Sequence, residues 1–274
     1  MTTTTRPATS LTTDGHATEG QNASAAAVRL EDLVLGFDGV PAAQVSLDVD
    51  PGEIVVLLGP SGCGKSTILR ALAGLLTPMS GSATVNGQHV SGSEAHCAMV
   101  FQEDALFPWQ TALKNVQFPL QLGGMGRHDS RIAATEYLEQ VALGSYLDHL
   151  PSRLSGGMRQ RVQLARTLAC HPQVMLMDEP FGALDAQTRL DMQQLLIKVW
   201  RQTQVTIMFV THDVDEALLL ADKVVLLTHR PATVAKVIEI ERPRDPQAQF
   251  EESYQILRQD ILKFLGHTPL AMAA

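Results

Sequence analysis

Residues 54–76 read IVVLLGPSGCGKSTILRALAGLL, and the order of their parts decides the fold. The apolar run at 54–58 suits a strand buried on both faces. GPSGCGKST at 59–67 matches G-x-x-x-x-G-K-[ST], and the apolar spacing that follows it is helical. Strand, glycine-rich loop and helix are the context in which this motif binds phosphate. Gly59, Gly62 and Gly64 let the backbone wrap closely, so that successive N–H groups and the helix N-terminus point at phosphate oxygens. Pro60, Ser61 and Cys63 complete the loop. Lys65 adds a cation for the β- and γ-phosphates, Ser66 offers a hydroxyl to Mg²⁺, and Thr67 supports the loop or the α-phosphate. Cys63 admits a redox-switch reading, but its position is one where many side chains are sterically acceptable.

A second strand carries the acidic half of the chemistry. VMLMDEP at 174–180 is an apolar run ending in two carboxylates. Beside a phosphate loop it would bring Asp178 to the Mg²⁺ shell and set Glu179 to polarise a water as general base.

Working outward, 28–87 alternates short apolar runs with Gly, Pro and Asn, which predicts strands and turns. Between 103 and 153 the patterns LKNVQFPLQL and RIAATEYLEQVAL predict a helical insert. Further on, VMLM, VTIMFV and KVVLLT alternate with the helical stretches RQRVQLARTLA and TRLDMQQLLIKVWRQ, which predicts a parallel sheet with crossover helices. Phe250, Tyr254, Leu257, Ile261 and Leu265 fall at helical spacing and predict a closing amphipathic helix.

With 274 residues, 45% apolar and 18% charged, the chain has the composition of a folded α/β domain with short tails. The net charge of -8 and the lack of any long Lys/Arg cluster argue against DNA or RNA as a partner. Cys63, Cys97 and Cys170 form no C-x-x-C pair, which speaks against a zinc site or a disulfide framework and for a reducing cytosol. Residues 1–27 lack the apolar run of a secretory signal and read as a disordered tail. No run reaches the 18 or more apolar residues of a spanning helix.

LSGGMRQRVQLARTLA at 154–169 resembles the signature of ABC ATPases, which other P-loop classes lack. Ser155, Gly156 and Gly157 can form a second anion site at a helix start. The resemblance implies a P-loop α/β ATPase core with a parallel sheet, an antiparallel β subdomain and a helical signature subdomain. It also implies that two copies pack head to tail, with Ser155, Gly156 and Gly157 of one covering the ATP held by the loop of the other. Met158 stands where Gln is commonest. By the same likeness, Gln102 in VFQED is the glutamine that senses Mg²⁺ and the attacking water, and Asp185 in GALDAQ crosses the dimer interface. His212 in VTHDVDEAL contacts the γ-phosphate, and Phe37 stacks on adenine where Tyr is more usual, with a plain core Phe as the alternative.

The likeness runs from 28 to 240 as the nucleotide-binding domain, leaving 241–274 as a C-terminal helical tail too short for a regulatory domain of the sugar-importer type. FPWQTALKNVQFPLQL, GALDAQTRLDMQQLLIKVW and HRPATVAKVIEIERPRD resemble ATPases of taurine, aliphatic sulfonate and nitrate importers. That implies ATP and Mg²⁺ as cofactors, permease subunits and a solute-binding protein as partners, and a peripheral place on the cytoplasmic face of the membrane. The likeness leans to taurine or a related sulfonate, with nitrate, bicarbonate or a pyrimidine precursor open. A soluble P-loop kinase or GTPase would leave the signature unexplained, and a GTPase would also need an N-K-x-D motif. Soluble ABC ATPases of translation or repair carry paired cassettes or coiled-coil inserts, which this chain lacks.

Overall fold

The computed structural model describes residues 26–92, 97–103, 105–241, 243–245 and 247–266. Most of the expected N-terminal tail, and the last eight residues of the C-terminal one, lie outside them.

Two sheets divide the work. An antiparallel sheet in the order β2-β1-β4-β5 is built from β1 (Val28–Phe37), β2 (Val40–Val49), β4 (Ser80–Val85) and β5 (Gln88–His89). Asp38 and Gly39, at φ 51° and 77°, make the tight turn that pairs Phe37 with Val40. Asp-Gly suits such a turn because both central residues need positive φ.

The second sheet has the order β10-β9-β3-β8-β7-β6, from β3 (Ile54–Leu58), β6 (Cys97–Val100), β7 (Val174–Asp178), β8 (Thr206–Val210), β9 (Lys223–Leu227) and β10 (Val234–Glu239). Its strands run parallel except β10, which closes one edge antiparallel to β9. The helices are α1 (Lys65–Leu72), α2 (Ala112–Leu122), α3 (Arg127–Gln140), α4 (Gly156–Leu168), α5 (Ala186–Thr203), α6 (Val214–Leu220) and α7 (Glu252–Phe264).

Strand β3 shows why its five residues are all apolar. Ile54, Val56 and Leu58 enter the core shared with the helices on one face, while Val55 and Leu57 enter the core shared with α1 and the antiparallel sheet. Alternate side chains of a strand point to opposite faces, so a strand covered on both sides has no polar position. Strands β7 and β8 divide in the same way, with Met177 and Phe209 facing the first core and Leu176 and Met208 the second.

The closing helix departs from expectation at its start. Tyr254, Leu257, Ile261 and Leu265 pack against the larger core, but Phe250 lies in a short 3₁₀ turn before α7 and is 76% exposed. Glu251, with extended backbone, breaks the helical spacing between them. The segment leading to α7 is pinned by Arg244, which pairs with Asp222 and stacks 3.9 Å over the Trp200 ring.

Candidate functional site

The loop after β3 leads straight into α1, and its shape follows from two glycines. Gly62 and Gly64 take φ of 74° and 121°, a region other residues enter only with strain. A Cβ on Gly64 would lie 3.0 Å from the Ala42 carbonyl oxygen, so β2 abuts the loop. Lys65 is 6% exposed, and its ammonium donates to the carbonyls of Gly59 at 2.8 Å and Pro60 at 3.0 Å. An ammonium has three donors, so a third remains for a phosphate oxygen. Ser61 is exposed, and Ser66 and Thr67 are half-buried on the first turn of α1. Cys63 is a departure from the tolerant position expected of it. It is buried in the second core, and Gly59 lies so close that a Cβ there would meet the Cys63 sulfur at 3.1 Å.

Adjacent parallel strands bring the acids to this loop. The Ser66 hydroxyl donates to Asp178 Oδ1 at 2.7 Å, across from β7. Burial holds the Asp178 carboxyl above its ordinary value, and the Ser66 hydrogen bond partly offsets that. A serine hydroxyl and a carboxylate are hard oxygen donors, the set Mg²⁺ takes from a protein while keeping waters and phosphates for its other positions.

Glu179 extends the β7–β8 pairing by one step, its N–H donating to the Val210 carbonyl at 2.9 Å. There the chain bends, with Glu179 at φ 44°. A non-glycine residue in that region costs about 1–2 kcal/mol. The bend is secured by Gly182 N–H donating to the Glu179 carbonyl and by the Gln160 amide donating to the Pro180 carbonyl. Strain of this kind persists where surrounding contacts over-determine it. His212 follows β8, and its Nδ1 lies 3.1 Å from Glu179 Oε2. An ionised carboxylate only accepts, so this contact sets the proton on Nδ1.

Phe37 is 49% exposed at the hairpin where it pairs with Val40, which excludes the core-Phe reading. Gln102 is exposed after β6 and lines a groove of about 500 Å³ with Gly156, Arg159, Gln160, Pro180 and Leu184. Ser155 caps α4, its hydroxyl accepting from Met158 N–H at 3.2 Å. Asp185 caps α5, accepting from Thr188 N–H at 3.0 Å and from the Thr188 hydroxyl at 2.7 Å. The Thr188 N–H holds the Asp185 carboxyl below its usual range.

Thr188 was missed by sequence reading, although it sits at the third helical position after a capping aspartate. It links Gly157 to the cap at Asp185, because a Cβ on Gly157 would lie 2.4 Å from its Cγ2. Turning that methyl away would break the hydroxyl bond to Asp185. Gly157→Ala is therefore expected to lower thermal stability by about 1–3 kcal/mol, the cost of overpacking, and to lower ATP turnover with it, because the displaced residues cap the helices that begin at Gly156 and Ala186. Thr188→Ser in the same chain deletes the clashing methyl and keeps the hydroxyl, so melting and turnover assays should show most of both losses recovered. No recovery in the double variant would mean that this contact is not the cause.

Comparison with known proteins adds the following. The family model described as ABC transporter matches residues 42–182. The nitrate import ATP-binding protein NrtD of Synechocystis sp. is 46% identical over 220 residues, 80% of this chain and 83% of that protein. The taurine import ATP-binding protein TauB of Yersinia pestis bv. Antiqua is 46% identical over 205 residues, 74% of this chain and 80% of that protein. Among solved structures, a dimeric post-hydrolysis state of the ATP-binding cassette MJ0796 bound to ADP and Pi superposes with TM-score 0.70 at 30% identity. It covers 78% of this chain and 99% of that one.

Proposed function

The chain belongs to the ATP-binding subunits of ABC transporters, ATPases coupled to transport, and on that premise we propose that it drives the import of small oxyanions, sulfonates such as taurine or nitrate. The observation that carries the catalytic half is the convergence, at the ends of β3, β7 and β8, of Lys65, Ser66, Asp178, Glu179 and His212. The nitrate and taurine subunits stand at equal identity, which supports the oxyanion class and favours neither solute.

In this reading residues 28–240 are the nucleotide-binding unit, with 1–27 and 241–274 as tails. Gly59, Pro60, Ser61, Gly62, Cys63 and Gly64 contribute backbone N–H groups to the phosphates, and Thr67 supports the α-phosphate. Lys65 neutralises the β- and γ-phosphates, and Phe37 stacks on adenine. Ser66 and Asp178, with Gln102, hold Mg²⁺, which when bound neutralises charge developing on the phosphate oxygens. Glu179 accepts a proton from the attacking water. His212 orients the Glu179 carboxylate through Nδ1 and stands beside the γ-phosphate.

Ser155, Gly156 and Gly157 close the site of a second copy, and Asp185 lies at the seam. The dimeric state of the 30%-identical cassette supports that pairing. The chain after Gln102 exposes Trp109 ahead of α2 and Phe118 and Leu122 on it, apolar side chains suited to a membrane permease. Among the described residues no helix is long and apolar enough to cross a membrane, and the proposed place is peripheral, on the cytoplasmic face, reached through that permease with a solute-binding protein upstream.

Growth decides the solute. A strain lacking the chain should fail on taurine or an alkanesulfonate as sole sulfur source, or on nitrate as sole nitrogen source, and grow normally on sulfate and ammonium. Normal growth on all of them would overturn oxyanion uptake.

A further inference from the structure

The geometry points to Arg189 as a positioning residue for hydrolysis, one that fixes His212 by clamping Asp213 to the turn that carries Asp185. This rests on the proposed ATPase site and assigns a residue to it.

The problem it solves is visible at His212. Its side chain is 62% exposed, so packing alone does not set the ring. Its backbone, however, lies between two tied residues. Thr211 is buried and its hydroxyl accepts from Asp213 N–H at 3.0 Å, closing a turn around His212. Asp213 caps α6, Oδ1 accepting from Glu216 N–H at 3.1 Å. Its second oxygen, Oδ2, lies 3.3 Å from Nη1 of Arg189.

Arg189 reaches across from the first turn of α5. Its Nη2 donates to the Leu184 carbonyl at 3.1 Å, one residue before Asp185. One rigid guanidinium thus spans the turn before α5 and the turn before α6, and its planar fork fixes both distances together. Arg189 also lines a tight cavity of about 20 Å³ together with Glu179, Gly182, His212 and Asp213.

Two further observations favour a positioning role over simple packing. Arg189 Nε has no hydrogen-bond partner among the described residues, so the directed contacts of the guanidinium there are the two to Leu184 and Asp213 that join the turns. Behind the pair, Glu216 is 4% exposed and held by Gln193 Nε2 at 3.1 Å, with burial pushing its carboxyl up. The Thr211 hydroxyl and the Gln193 amide offset that burial first and the Arg189 cation adds to them, so Thr211, which closes the turn around His212, is tied to the same buried carboxylate.

The test is steady-state ATP hydrolysis by the full chain, with melting temperature recorded for each variant. Arg189→Ala and Asp213→Asn, the latter still able to cap α6, should each lower kcat about tenfold and leave KM for MgATP within about twofold. The double variant should be no slower than either single one, because both remove the same link. Arg189→Lys keeps the cation without the fork and should recover part of kcat at unchanged melting temperature; it carries the test should Arg189→Ala fold poorly. Full kcat in a folded Arg189→Ala chain, or losses that multiply in the double variant, would overturn the assignment. Failure of the underlying site looks different: His212→Ala and Glu179→Gln would then leave turnover untouched.

Discussion

Glu179→Gln is expected to lower ATP turnover about a thousandfold while the chain, given MgATP, accumulates as a stable dimer. A positioned general base contributes about 10²–10⁴ to rate, and the substitution removes its proton affinity with little else. Gln has the same length and shape, and its amide oxygen can still accept from His212 Nδ1, now 3.1 Å from Glu179 Oε2. The backbone bend at φ 44° rests on main-chain bonds to Val210 and Gly182, which the side chain does not make. In the proposed dimer, Lys65 and the loop glycines remain to hold nucleotide, and Ser155 with its two glycines remains to cover it. Binding and dimerisation should therefore proceed and stop before cleavage. Size-exclusion chromatography with and without MgATP, beside a phosphate-release assay, reads both halves. A monomer at saturating ATP would remove the shared site from the reading, and undiminished phosphate release would remove Glu179 as the base.

The parts of this site that the sequence announced are those where chain order and spatial order coincide. The loop at 59–67 must lie at the end of β3, and Asp178 and Glu179 must lie at the end of β7, because buried strands in a parallel sheet end on the same side as the helices they lead into. VTIMFV told the same of His212. What was not legible depends on contacts between elements far apart in sequence. Arg189, Asp213, Thr188 and Gln160 look like ordinary polar residues of helices until α5 lies against α4 and α6. The cue that could have found two of them is capping: Asp185 and Asp213 each precede a helix, with Thr188 and Glu216 three positions on.

The same distinction holds for the fold. Strands β3, β7, β8 and β9 were plain as apolar runs, but β6 and β10 at the two sheet edges were not. Edge strands bury less, and VAKVIE in β10 is mostly exposed or half-exposed, so its periodicity is diluted. Phe250 shows the opposite error, a helical spacing that counts one residue too many because an extended Glu251 intervenes.

Lys65→Ala should weaken MgATP binding about a hundredfold, the largest effect on affinity among these changes. Lys65 is nearly buried in the loop, and the only acceptors it meets within the loop are the neutral carbonyls of Gly59 and Pro60. Asp178 at the end of β7 supplies only part of the counter-charge, since it is shared with the Ser66 hydroxyl, so the ammonium still favours an arriving phosphate. Hydrogen bonds to charged groups contribute about 1.5–3 kcal/mol each. Losing one such bond together with the cation's longer-range attraction to a second phosphate gives about 3 kcal/mol, or roughly a hundredfold in Kd. Lys65→Arg should not restore binding, because the wider planar guanidinium cannot occupy the space between the two carbonyls that hold a compact ammonium. Titration calorimetry with ATP and Mg²⁺ on the apo chain measures the effect directly. Parent-like affinity in Lys65→Ala would leave the loop as a turn between β3 and α1 and nothing more.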